Sequence, residues 1–187
     1  MPVQPTALIG RGEELAAVRD LLAAPEVRLV TITGPPGVGK TRLAVAAAVA
    51  MADQFEDGAV WVELSGVRDP AMLLPEVQVA LGTSPGRRGV LAVLDNCEHL
   101  LDAVSVLGEL LADKPGLKIL ATSRERLHLA AEQEFALDPL TMPTEEDLTD
   151  LGRLRGNPSV ALLLARSPAN VALSARYSSI ASGLSSR

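Results

Sequence analysis

The sequence predicts an α/β protein built on a doubly wound, mainly parallel sheet, and three observations predict it. Short β-branched or apolar runs alternate with helical spacings along most of the 187 residues, the pattern of βαβ units with right-handed crossovers. One of these runs, VLAVL at 90–94, is apolar throughout, as in a strand buried on both faces. A turn rich in Gly and Pro at 34–39 joins a β-branched run to an Ala-rich stretch.

Residues 12–24 place apolar side chains at Leu15, Val18, Leu21 and Leu22, a helical spacing closed by Pro25. The run VRLVTIT, 27–33, reads as the first, buried strand. After the turn, a helix runs from Lys40 to about Ala52, and AVWVEL, 59–64, is the second strand. A helix is expected over 69–81, with Asp69 as its cap and Pro70 in its first turn. The third strand, 90–94, ends at Asp95, and 98–112 has the spacing of an amphipathic helix that stops before Pro115 and Gly116. LKILAT, 117–122, is the fourth strand and 134–137 a short fifth.

Beyond Pro139 the pattern weakens. Thr144, followed by Glu145, Glu146 and Asp147, can open a short helix with its acids at the positive end. Residues 159–166 can form another. The last ten residues hold five serines and read as a frayed tail. The chain therefore divides into a core, 1–140, a partial helical appendage, 141–177, and a disordered tail, 178–187.

Composition narrows the function. Seventeen Lys and Arg against twenty-three Asp and Glu give a net charge of −6, so no electrostatic footprint exists for a nucleic-acid duplex, and no direct nucleic-acid contact is expected from this chain. Aromatic residues make up only 2%, which leaves Ala, Leu and Val to fill the core. Cys97 is the single cysteine, so no intrachain disulfide forms and a reducing compartment fits. The N-terminal residues lack a signal-peptide pattern, and the apolar stretch 43–51 is too short to span a bilayer. The sequence reads as cytoplasmic.

The segment Gly34-Pro35-Pro36-Gly37-Val38-Gly39-Lys40-Thr41 satisfies the phosphate-loop pattern G-x-x-x-x-G-K-[ST], with a strand before it and a helix after it. Its glycines let backbone N–H groups turn inward around phosphates, and the helix N-terminus adds positive potential. Lys40 is expected to reach the β- and γ-phosphates of ATP, and Thr41 to coordinate Mg²⁺ through its hydroxyl. Arg42 follows directly and is counted with the nucleotide-binding loop. Asp95, at the C-terminal end of a buried strand, is placed to hold the Mg²⁺ shell from across the site.

Asn96 stands where many phosphate-loop ATPases carry a second carboxylate, and Asn cannot take a proton from water. Glu98 lies nearby and could serve as a base, although a surface position on the next helix explains both Glu98 and His99. Arg124, at the end of the fourth strand in Thr122-Ser123-Arg124-Glu125, either senses a γ-phosphate or pairs on the surface with Glu125 or Glu132. Cys97 reads as a small core residue.

Taken in order, LIGRGEEL (8–15), GPPGVGKTRLA (34–44), VLDNCEHLLD (93–102) and LATSRERL (120–127) resemble the nucleotide-binding domain of bacterial STAND ATPases. These are the AP-ATPase or NB-ARC-like signalling proteins, and the likeness extends to the ATPase modules of LuxR-type and AfsR-like transcriptional regulators. The resemblance covers roughly 8–140. It implies a P-loop NTPase of ASCE type, with five strands in the order 5-1-4-3-2. It further implies that Ile9, Gly10 and Arg11 pack against the adenine side, that Asp95 is the Walker B acid, and that Arg124 is the sensor-1 Arg. Members act as switches between ADP and ATP forms, with output from a protein partner or effector domains. DPLTMP (138–143) resembles the stretch leading to the next subdomain, and NPSVALLLAR (157–166) its opening helix.

Three departures stand against the family pattern. Residues 82–89 replace what is usually a further helix. The helical lid with its winged-helix domain and the distal nucleotide-sensing motif are not found, nor is a helix-turn-helix or superhelical repeat. The chain accordingly reads as a fragment, a truncated product or a stand-alone module, with ATP hydrolysis slow at most.

Overall fold

The computed structural model describes residues 8–82 and 89–166. Two compact units divide at Pro139 and Leu140. The first carries helix α1 (Gly12–Ala23), strand β1 (Leu29–Thr33), α2 (Lys40–Met51), β2 (Ala59–Glu63), α3 (Leu73–Leu81), β3 (Val90–Asp95), α4 (Ser105–Asp113), β4 (Leu117–Thr122) and β5 (Glu132–Ala136).

The five strands form one sheet in the order β2-β3-β4-β1-β5, read from the other edge as 5-1-4-3-2. All four pairings are parallel. Parallel neighbours require crossovers, and the crossovers lay helices on both faces. Residues of β1 and β3 are buried throughout. Their alternate side chains enter different cores: Leu91 and Val93 pack with Val18 and Leu22 of α1 and Leu43, Ala47 and Ala48 of α2, whereas Val90, Ala92 and Leu94 pack with Leu73 and Val77 of α3 and Leu107 and Leu110 of α4. Ala44, Ala47 and Ala48 of α2 are fully buried in that first core.

The stretch 98–112, expected as one helix, is instead two 3₁₀ turns, Cys97–His99 and Leu101–Ala103, followed by α4. Asn96 adopts the left-handed conformation at φ 65° and Leu100 lies at φ −118°, so the α ladder cannot start until Ser105. Leu100, Val104, Leu107 and Leu111 are nevertheless all buried. The apolar spacing of a helix is satisfied here by tighter turns, and periodicity alone does not separate the two. Similarly, the helix expected over 69–81 opens as a 3₁₀ turn, Pro70–Met72, with the Asp69 side chain accepting from the Ala71 N–H at 3.0 Å. The fifth strand starts earlier than expected, because both Glu132 carboxylate oxygens accept from the Leu127 and His128 N–H groups and tie its entry down.

In the second unit, α5 (Glu145–Leu148) begins with a reciprocal cap between Thr144 and Asp147. Two more short helices follow, α6 (Leu151–Gly156) and α7 (Pro158–Arg166); α6 was not anticipated from the spacing. The expected tail, 178–187, and the short connection at 83–88 lie outside the described residues. Among the described residues, no helix is long and apolar enough to cross a membrane.

Candidate functional site

The sheet delivers the chemistry-bearing residues to one edge, the C-terminal ends of its strands, where open α/β sheets place their ligands. From β1 the chain enters the phosphate loop. Gly34 sits at φ 144°, and a Cβ there would lie 2.5 Å from the Leu137 carbonyl oxygen just past β5, so only Gly permits this close approach. Gly37 and Gly39 are also left-handed, at φ 79° and 107°, and a Cβ on either would meet nothing within 4 Å. The loop therefore bounds open space, and Gly39 caps α2, whose first residue is Lys40. Pro35 and Pro36 are exposed, Val38 and Arg42 half-buried.

Lys40 is buried, yet its ammonium donates to the Gly34 and Pro35 carbonyls at 2.8 and 3.1 Å. Burial pushes its pKa below the ordinary lysine range; Glu98 and Asp95 oppose that, and Arg124 adds to it. Thr41 donates its hydroxyl to Asp95 Oδ1 at 2.9 Å, with Oδ2 at 3.2 Å. Asp95 is 2% exposed, and burial raises its pKa above the usual carboxylate range against the lowering hydrogen bonds from Thr122 and Thr41.

Thr122 was not singled out from the sequence. Its buried hydroxyl accepts from the Asn96 N–H at 3.0 Å and donates to Asp95 Oδ1 at 2.5 Å. One hydroxyl thus fixes both the carboxylate and the left-handed turn that follows it. Its position at a strand end beside Ser123 and Arg124 was the only available signal. Asn96 turns its side-chain amide toward Glu63 Oε1, at 3.4 Å, on the neighbouring strand β2.

Glu98 is not the surface residue expected. Its side chain is 19% exposed, Oε1 accepts from Arg124 Nε at 3.0 Å, and Oε2 is buried with no hydrogen-bond partner among the described residues. Arg124 therefore pairs with neither Glu125 nor Glu132; Glu132 and Glu134 lie near Arg126 instead. His99 is exposed and bonds the Val67 carbonyl. Cys97 is buried, its thiol donating to the Leu94 carbonyl at 3.7 Å, and burial raises its pKa, which keeps it an inert core residue.

Ile9 is half-buried and Gly10 exposed at φ 66°. Arg11, by contrast, is 6% exposed. Its guanidinium donates to Glu14 at 2.6 Å, to the Val38 carbonyl at 3.3 Å and to the Asp138 carbonyl at 2.6 Å. It ties the segment before α1 to the phosphate loop and to the exit of β5.

A divalent cation fits the donors at this edge. Thr41 and Asp95 offer hard hydroxyl and carboxylate oxygens within hydrogen-bond distance of each other, the kind that Mg²⁺ takes. Among the described residues no group of three or more His, Cys, Asp or Glu could cage a metal, so the rest of the shell would come from phosphate oxygens and water, the usual Mg²⁺ arrangement.

Comparison with known proteins agrees with this geometry. A family model described as an AAA ATPase domain matches residues 7–173. An uncharacterized protein of Mycobacterium tuberculosis is 38% identical over 155 residues, covering 75% of this chain and 39% of its own length. A second protein of the same organism, provisionally named an HTH-type transcriptional regulator, is 40% identical over 143 residues, 68% of this chain and 16% of that one. The chain thus spans well under half of each relative. Among solved structures, the ADP complex of S. cerevisiae Hsp104 superposes with a TM-score of 0.52 at 20% identity, over 80% of this chain and 24% of that one; the likeness is one of fold.

Proposed function

The chain belongs to the AAA ATPase domain family, and from that premise we propose that it binds ATP and ADP with Mg²⁺ as a regulatory, signal-transducing module. The observation that carries the proposal is the Thr41 hydroxyl set against the Asp95 carboxylate beside a phosphate loop with open space before it. On this reading Lys40 exchanges the Gly34 and Pro35 carbonyls for the β- and γ-phosphates. Thr41 and Asp95 hold Mg²⁺, directly or through water, and Mg²⁺ would neutralise charge on the terminal phosphates. Backbone groups of Pro35 to Thr41, with Arg42 behind them, surround the phosphates, and Arg124 meets the γ-phosphate. Ile9 and Gly10 lie toward the adenine, while Arg11 holds the loop in shape.

Hydrolysis is slow on this reading, well below the ~10 s⁻¹ typical of enzymes, since Asn96 supplies no base and Glu98 is engaged by Arg124. The name of the regulator-like relative supports a place in a transcriptional switch, with effector domains or a protein partner giving the output and no nucleic-acid contact from this chain. One observation favours a second reading, a working ATPase with Glu98 as base: the buried, unbonded Oε2. Isothermal titration with ATP, ADP and GTP tests the proposal. ATP and ADP binding that is severely weakened in Lys40→Ala is expected, and equal affinity in the two proteins overturns it. Brisk turnover lost in Glu98→Gln would establish the second reading.

A further inference from the structure

An anion of the protein itself already holds a cation at the site edge. Glu98 touches Arg124 at 3.0 Å, and its charge also favours the charged form of Lys40. Arg124 and Lys40 are the two side chains that the reading above assigns to the terminal phosphate. The carboxylate is bonded through one oxygen only; the other is buried without a partner. Half-desolvated and half-satisfied, it gains most from remaining beside Arg124. Its Arg124 partner is 61% exposed, and an ion pair so open to water on one side is weak enough to exchange.

The geometry points to Glu98 as an internal stand-in for the γ-phosphate, a carboxylate that engages Arg124 when no third phosphate is present and must release it when ATP binds. The inference rests on Arg124 being the γ-phosphate contact. ADP leaves the Glu98–Arg124 pair intact. ATP brings a second anion to the same guanidinium, and like charges at a partly desolvated site repel. Glu98 therefore lowers ATP affinity relative to ADP and makes the ADP form the resting one. Discrimination between the nucleotides is set by competition for one guanidinium, with no change of fold required.

Titration of the full chain with ATP and ADP, both with Mg²⁺, tests this in wild type, Glu98→Gln, Arg124→Ala and the double variant. Glu98→Gln should tighten ATP roughly fivefold and ADP by less than about twofold. In the Arg124→Ala background that gain should shrink, because the contested cation is gone. Glu98→Ala, which removes the carboxylate altogether, should show the same selective gain for ATP and covers the case in which Gln disturbs folding. Unchanged or weaker ATP binding by Glu98→Gln, alongside a selective ATP loss in Arg124→Ala, overturns the stand-in while leaving the Arg124 contact in place. Equal tightening of ATP and ADP also overturns it. An Arg124→Ala variant with no selective ATP loss removes instead the reading on which the inference rests.

Discussion

Lys40, which opens α2 beyond the C-terminal end of β1, and Lys118, near the start of β4, are bound alike. Each ammonium donates to two backbone carbonyls, Gly34 and Pro35 for Lys40, Leu22 and Ala24 for Lys118 at 2.8 and 2.6 Å. Burial is the main cause that lowers the pKa of both. Their surroundings differ. Lys118 closes the C-terminus of α1, where the last carbonyls have no helical partner, and Arg28 beside it does the same for α4 through the Leu111 and Lys114 carbonyls. Lys40 bonds only to its own loop, six residues away or fewer, with Glu98, Asp95 and Arg124 acting on it. One lysine completes helix ends; the other holds acceptors that a better anion can replace. Identical chemistry therefore serves structure at the N-terminal edge and a proposed ligand at the C-terminal edge.

That division can be broken most forcefully at Gly34. A Cβ 2.5 Å from the Leu137 carbonyl oxygen at φ 144° cannot be relieved by a rotamer, so Gly34→Ala should lower stability by about 2–4 kcal/mol. Urea unfolding reads the loss, and a wild-type midpoint would show the loop to be looser than its geometry. Next come the two lysines. Lys40→Ala should weaken ATP binding by about 2–3 kcal/mol with the fold retained. Lys118→Ala should do the reverse, losing about 1 kcal/mol of stability and no ATP affinity. Comparable ATP losses in both variants would erase the distinction between the edges. Arg124→Ala should cost ATP about 1–2 kcal/mol and ADP almost nothing; parallel titrations decide it.

The smallest effect is a pH dependence from Asp95. Its folded pKa lies above the ordinary 3.8 because of burial, so between the two values the folded chain holds a proton that the unfolded chain releases. The stabilising contribution is complete below that window and is lost as pH rises through it. Asp95→Asn should flatten this part of the melting profile. Mg²⁺-assisted ATP binding should move oppositely, falling as acid protonates Asp95.

The strands were legible because VLAVL and LKILAT are short apolar runs with helical spacings between them, although their order came from the family resemblance; the phosphate loop was legible because Gly34, Gly39, Lys40 and Thr41 stand at the fixed positions of its pattern, between a strand and a helix. Other features needed coordinates. Arg11 and Thr122 act through acceptors 127 and 27 residues away, which spacing cannot reveal. The 3₁₀ turns at 97–103 carry the apolar period of a helix. Glu98 looked like a helix-surface acid for that reason, although the left-handed Asn96 turns it back toward Arg124.

The account depends most on Mg²⁺ being held between Thr41 and Asp95 when nucleotide binds. Calorimetric titration of ATP into wild type and Asp95→Asn, each with Mg²⁺ and with EDTA, tests this directly. The account predicts that Mg²⁺ strengthens ATP binding in the wild type and that this gain vanishes in Asp95→Asn. An equal Mg²⁺ effect in the two proteins, or none in either, would contradict it.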